Sequence, residues 1–120
     1  MTAEESSLKA NLVSEKEALS GNTHIVRLSG ELDIHSAPQF KEDVLNLIEQ
    51  GYTNILLDLD ELDFMDSRGL GTFISISRNV KDKGGSLKII CSNQTILKIF
   101  QRTGLCEIFA MYESKEAALH

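Results

Sequence analysis

Within residues 61–73, ELDFMDSRGLGTF, the six positions from Asp66 to Gly71 hold a carboxylate (Asp66), a hydroxyl (Ser67), a guanidinium (Arg68) and two glycines, Gly69 and Gly71. A serine in that company has three roles open to it: helix cap, nucleophile or phosphate acceptor. As a nucleophile it lacks its usual setting. A nucleophile elbow needs glycine two residues ahead, where Met65 stands. A triad also needs a histidine, and the candidates are His24, which starts a strand, and His35, just before a helix cap. As a cap it has a neighbour of equal merit, because Ser and Asp both accept from the first amides of a helix; either Asp66 or Ser67 fills that place. As a phosphate acceptor it fits on both counts that matter. Unpaired N–H groups and the dipole at a helix start tolerate an anion. A phosphate adds about −1.5 to −2 charges, here beside Asp66 and close to Asp58, Asp60, Glu61 and Asp63, so a docked partner would meet repulsion.

Other chemistries find less. Gly69-Leu70-Gly71 begins a GxG without a third glycine, no GxxxxGK[ST] occurs, and the glycines are explained by close packing of a helix backbone. The acids over 58–66 read as a solvated surface, since nothing makes two of them converge on a substrate. Cys91 and Cys106 form no CxxC, and with three histidines they do not make a metal set. They read as buried apolar side chains. A formal charge of −6 with no basic stripe excludes phosphate-backbone binding, so no nucleic acid is expected. No apolar run approaches a membrane span and MTAEESSLKA lacks a leader pattern, so the expected location is the cytoplasm, away from membranes.

The elements that would position these residues follow from periodicity and punctuation. The 120 residues suit one domain, with residues 1–7 expected to fray. LKANLVSEKEAL and HIVRLSG flank Ser20-Gly21-Asn22-Thr23 and predict an antiparallel hairpin. Ser36 with Gln39 reads as a capping box, with Pro38 in the first turn. Phe40, Val44, Leu47 and Ile48 share one face, and Gly51 is the stop. NILLDLD is a short strand, followed by the loop 61–66 that leads into a helix from Ser67, with Leu70, Phe73, Ile74 and Ser77 on one side. SLKIIC predicts a strand, SNQTILKIFQRTG a helix capped by Ser92 or Asn93 and ended by Gly104. CEIFAMYES predicts an edge strand and KEAALH a short last helix. Strands alternating with helices require βαβ crossovers and a mostly parallel sheet. The strands alternate in polarity: Val26 and Leu28 oppose Arg27 and Ser29; Ile55, Leu57 and Leu59 oppose Asp58 and Asp60; Leu87, Ile89 and Cys91 oppose Ser86 and Lys88. A sheet covered on both faces would be continuously apolar, so the helices are expected mainly on one face.

GELDIHSAPQF, NILLDLDELDFMDSRGLGTFISISR and GGSLKIICSNQTILKIFQRTGLCEIFAMYES together resemble the STAS domain of bacterial anti-sigma factor antagonists, from about residue 10 to residue 114. Asp66-Ser67-x-Gly69-Leu70-Gly71 is the most specific element, and Gly30-Glu31-Leu32-Asp33 matches the family's G-x-L/I-D. The resemblance implies a single α/β STAS domain over 1–120: a small mixed sheet of four or five strands, mostly parallel, with an antiparallel N-terminal hairpin. It implies a non-enzymatic regulator, a monomer or weak dimer, that needs no cofactor. Unphosphorylated, it would bind an anti-sigma factor of the GHKL serine-kinase type; phosphorylation of Ser67 would release it, and a PP2C-type phosphatase would reset it. The resemblance makes Asp33, Asp66, Ser67, Arg68, Gly69 and Gly71 the partner-binding residues, with Gly69 and Gly71 admitting the kinase closely. Arg68 departs from the small residue usual there, and a cation at that point could pair with phosphate or with Asp66. Other STAS domains serve as scaffolds or transport-complex subunits, in which this serine would be only a cap.

Overall fold

The computed structural model describes residues 11–120, and the expectations for residues 1–10 lie outside it. β1 (Leu12–Ala18) turns at Gly21 into β2 (Thr23–Leu32), and the two pair antiparallel from Leu12↔Gly30 to Ala18↔His24. α1 (Ala37–Glu49), β3 (Asn54–Met65), α2 (Ser67–Asp82), β4 (Ser86–Ile90) and α3 (Gln94–Thr103) follow. A 3-10 turn (Leu105–Glu107), β5 (Ala110–Tyr112) and α4 (Lys115–Leu119) complete the chain. The sheet order is β1-β2-β3-β4-β5, parallel from β2 onward. A parallel strand reached by a right-handed crossover always lies on the same side of its predecessor when the order simply advances. Successive crossovers of one hand therefore put α1, α2 and α3 on one face. The one-sided helices expected from strand polarity follow from this topology.

The apolar phase of each strand enters that layer: Val26, Leu28, Ile55, Leu57, Leu59, Leu87, Ile89 and Cys91 are all buried in the main core. Phe73 of α2 sits at its centre. Its ring centroid lies 5.9 Å from Phe40 of α1, 6.1 Å from Phe100 of α3 and 6.5 Å from Phe109, so one aromatic group ties the three helices together. α3 is capped by Asn93, whose Oδ1 accepts from Thr95 and Ile96, and it ends at Gly104 in the left-handed region at φ 77°. The opposite face is not wholly open. Ile25, Leu56 and Ile90 form a small second core under Ala118 of α4, and Lys88 Nζ holds that helix by donating to the Ala118 carbonyl at 2.8 Å.

His24, second in the hairpin's return strand, is buried with its ring edge-on to Tyr52 at 4.6 Å. Among the described residues its Nδ1 has no hydrogen-bond partner. Burial, with the charge of Lys16, pushes its pKa below the ordinary 6.5 against a smaller opposing pull from Glu17. Above that ordinary value both folded and unfolded chains carry a neutral ring and its contribution to stability is complete. Below it the unfolded chain takes up a proton that the folded one refuses, so stability falls with pH until the folded ring also titrates. Urea melts from about pH 7.5 to about pH 5.5 should lose stability at no more than about 1.4 kcal/mol per pH unit from this group. His24→Phe should flatten that part of the profile, and an unchanged slope would show that the buried ring is not its source.

Candidate functional site

Leu32 and Met65 are register partners at the ends of the adjacent parallel strands β2 and β3. The Asp66 N–H donates to the Leu32 carbonyl at 3.2 Å, fastening the two chain exits together. Asp33 and Asp66 thus leave the same sheet edge side by side, at the carboxyl ends of parallel strands where α/β sheets place their sites. β3 reaches this edge through two irregularities. Arg27 faces Asp58 but Ser29 faces Glu61, and Gly30 faces Leu62 but Glu31 faces Phe64, so β3 carries an extra residue in each interval. These bulges turn the buried spacing from two to three, at Leu59, Leu62 and Met65. The acidic loop expected over 61–66 is therefore strand as far as Met65; a three-residue apolar spacing does not read as one.

Asp66 is the N-cap of α2. Its backbone is extended, and its Oδ1 accepts from the amides of Arg68 at 2.9 Å and Gly69 at 3.2 Å. Ser67 is the first helical residue. Its side chain is exposed, and its hydroxyl makes no hydrogen bond among the described residues. The choice between the two caps falls to Asp66. The helix-start amides expected to be open to an anion are largely occupied, because the cap holds two of them. Gly69 faces inward: a Cβ there would lie 2.9 Å from the side chains of Leu32 and Met65. Only a glycine lets α2 rest directly on the strand ends, so Gly69 serves internal packing. Gly71 is exposed with open space around it. The buried stripe of α2 is Gly69, Thr72, Phe73, Ile76, Ser77 and Val80, with Leu70 and Ile74 at its partly covered edge rather than in its centre. Arg68 is exposed and, among the described residues, in no ion pair; the pairing with Asp66 considered from sequence is not made.

Asp33 folds the β2–α1 turn. Its Oδ1 accepts from the amides of His35 at 2.9 Å and Ser36 at 3.2 Å, and its carbonyl accepts from Ala37 at 2.8 Å. The expected Ser36–Gln39 capping box does not form. Ser36 already has helical backbone angles, φ −98° and ψ −23°, so its hydroxyl is not aimed at the helix amides; it donates to Glu31 O and accepts from Asp33 N. Gln39 instead donates to Asp43. The acid run is likewise more than solvated surface. Asp60 Oδ1 accepts from both the amide and the hydroxyl of Ser92, fastening a bulge of β3 to the β4–α3 loop, and Asp58 accepts from the Asp60 amide.

Two large side chains near the ends of β2 and β3, not singled out from sequence, are half exposed. Ile34, next to Asp33, is 50% exposed and Phe64, ahead of Met65, is 48% exposed. Phe64 was legible only once the three-residue spacing of Leu59, Leu62 and Met65 left it out of phase. Ile34, Ala37, Pro38 and Thr72 share with Lys41 and Arg68 an open cleft of about 250 Å³ between the starts of α1 and α2. This end of the sheet therefore carries an unengaged hydroxyl between Asp66 and Arg68, and Arg68 also lines the partly apolar cleft between the starts of α1 and α2.

The STAS family model matches residues 16–118, and the chain belongs to that family. It is 35% identical over 94 residues to the anti-sigma-B factor antagonist of Bacillus subtilis (strain 168), covering 78% of this chain and 85% of that one. It is 33% identical over 96 residues to the anti-sigma F factor antagonist of Paenibacillus polymyxa, covering 79% and 82%. The structure of the Bacillus cell fate determinant SpoIIAA in its phosphorylated form superposes with a TM-score of 0.72 at 30% identity, over 89% of this chain and 96% of that one.

The two glycines of the motif should behave oppositely. Gly69→Ala drives a methyl into Leu32 and Met65 and should cost about 1–3 kcal/mol in urea denaturation. Gly71→Ala, with open space and a better helix former, should leave stability unchanged or raise it by up to about 1 kcal/mol. Equal effects would show that α2 does not rest on the strand ends.

Proposed function

We propose that the chain is an anti-sigma factor antagonist that works by partner switching, a binding protein and kinase substrate rather than an enzyme. The observation that carries this reading is the Ser67 hydroxyl: exposed, unbonded and relieved of the capping role by Asp66. It can be modified without removing anything the fold uses. The relatives named above, two of them antagonists of anti-sigma factors and one a protein with a phosphorylated form, support the same assignment.

In the proposed cycle the unphosphorylated edge docks on an anti-sigma factor of the GHKL serine-kinase type. Ile34 and Phe64 supply apolar area, Ser67 and Gly71 the close approach, and Asp33, Asp66 and Arg68 the polar frame. The kinase transfers the γ-phosphoryl group of ATP to Ser67 Oγ, with loss of the hydroxyl proton and release of ADP. The new charge then lies at a desolvated interface already bordered by Asp66 and Asp33, and the complex dissociates. A PP2C-type phosphatase, with divalent metal in its own site, returns the serine by hydrolysis and frees inorganic phosphate. Asp33 and Asp66 have a prior duty in holding backbone amides, so their substitution perturbs the edge as well as any contact.

Incubation with the GHKL kinases of the same genome and ATP should add one phosphate by intact mass, and Ser67→Ala should abolish it. Modification elsewhere, or none with any such kinase, would reject the switch. In calorimetry Ser67→Asp should weaken kinase binding by about 1–3 kcal/mol. Affinity equal to wild type would reject repulsion as its cause. A fluorophosphonate probe should leave Ser67 unlabelled, since no histidine bonds its hydroxyl among the described residues.

A further inference from the structure

A phosphate placed at the first position of a helix is ordinarily held by the free amides of the first turn. In α2 that route is mostly closed. The amides of Arg68 and Gly69 both donate to Asp66 Oδ1, and that of Leu70 donates to the Asp66 carbonyl. The carboxylate holding them also repels a phosphate on the adjacent residue. The ionisable groups where these elements meet are Asp33 and His35 in the β2–α1 turn, Lys41 on α1, Asp63 and Asp66 at the end of β3, and Arg68 on α2. Three are acids, so a dianion on Ser67 would be uncompensated without the two cations.

Arg68 follows Ser67 directly, is exposed and is free of ion pairs among the described residues. It borders, with Lys41, the cleft between the starts of α1 and α2. Its guanidinium offers five N–H donors in a planar fork suited to phosphate oxygens, on a side chain long enough to swing over the neighbouring residue. We propose that Arg68 is the intramolecular counter-ion of phosphorylated Ser67, replacing the backbone amides that Asp66 withholds, with Lys41 adding a weaker field from across the cleft. The unphosphorylated chain then keeps Arg68 available to a partner, and phosphorylation turns it inward. The switch would remove a cation from the contact surface as it adds the phosphate. This deepens the partner-switching reading, on which it rests only in that Ser67 carries the phosphate.

Its test needs no kinase. Phosphoserine is introduced at position 67 during translation, and the phosphate's second ionisation is followed by ³¹P NMR in wild type, Arg68→Ala, Arg68→Lys and Lys41→Ala. Arg68→Ala should raise that pKa by about half a pH unit or more, the scale of one opposite charge a few ångströms away through water. Arg68→Lys should restore part of the shift and Lys41→Ala should move it less. The unphosphorylated Arg68→Ala protein should melt with wild type, separating this role from folding. Equal phosphate pKa values in wild type and Arg68→Ala, or a larger effect from Lys41→Ala, would overturn the assignment. Either result leaves the kinase reaction untouched, while failure of every kinase to modify Ser67 would reject the switch without altering the titration.

Discussion

The hydrogen bond from the Asp66 amide to the Leu32 carbonyl, where β2 and β3 end together, is the constraint on which the functional edge depends. It fixes where α2 begins. Gly69 then seats the helix on Leu32 and Met65, and four residues on, Phe73 enters the aromatic group shared with α1 and α3. Backbone pairing, a missing side chain and a central ring thus act in series along one short segment. Each depends on the one before: if the strand ends slipped, the glycine would face the wrong atoms and the ring would leave its pocket.

Electrostatics at this edge is mostly backbone electrostatics. Asp33, Asp60 and Asp66 spend their carboxylates on amides of the turn after β2, the loop after β4 and the start of α2. An ionised carboxylate receiving amide N–H groups makes stronger hydrogen bonds than a neutral acceptor would. The acids are therefore the ties that shape three loops, and the negative border of the site is a by-product of that architecture. Asp58 stands apart: burial raises its pKa above the ordinary carboxylate value, partly offset by the hydrogen bond from the Asp60 amide.

Much of this was legible in the chain itself. The alternation of Val26, Leu28, Ile55, Leu57 and Ile89 encodes a sheet covered on one side, and the topology supplies the reason. Glycine and asparagine mark the ends of α3 because left-handed backbone and an amide-accepting side chain are local matters. What stayed hidden was non-local. The bulges of β3 are defined only by comparison with β2, so the stretch holding Leu62 and Met65 looked like a loop. The Ser36 capping box had the right letters, but Asp33 had already bent the preceding turn into helical angles and taken its amides. Gly69 and Gly71 read alike in the sequence; the strand ends beneath one of them make them different.

The separation of cap from serine has an evolutionary meaning. Because Asp66 supplies the capping oxygen, the fold draws nothing from the neighbouring hydroxyl. A lineage can lose the modifiable group by one codon change, or regain it, without crossing a valley of unfolded intermediates. Under the proposed switch, regulation and folding are separate traits carried on adjacent residues. A change at position 67 would then alter the proposed signal alone, while a change at position 66 would also take the cap from α2.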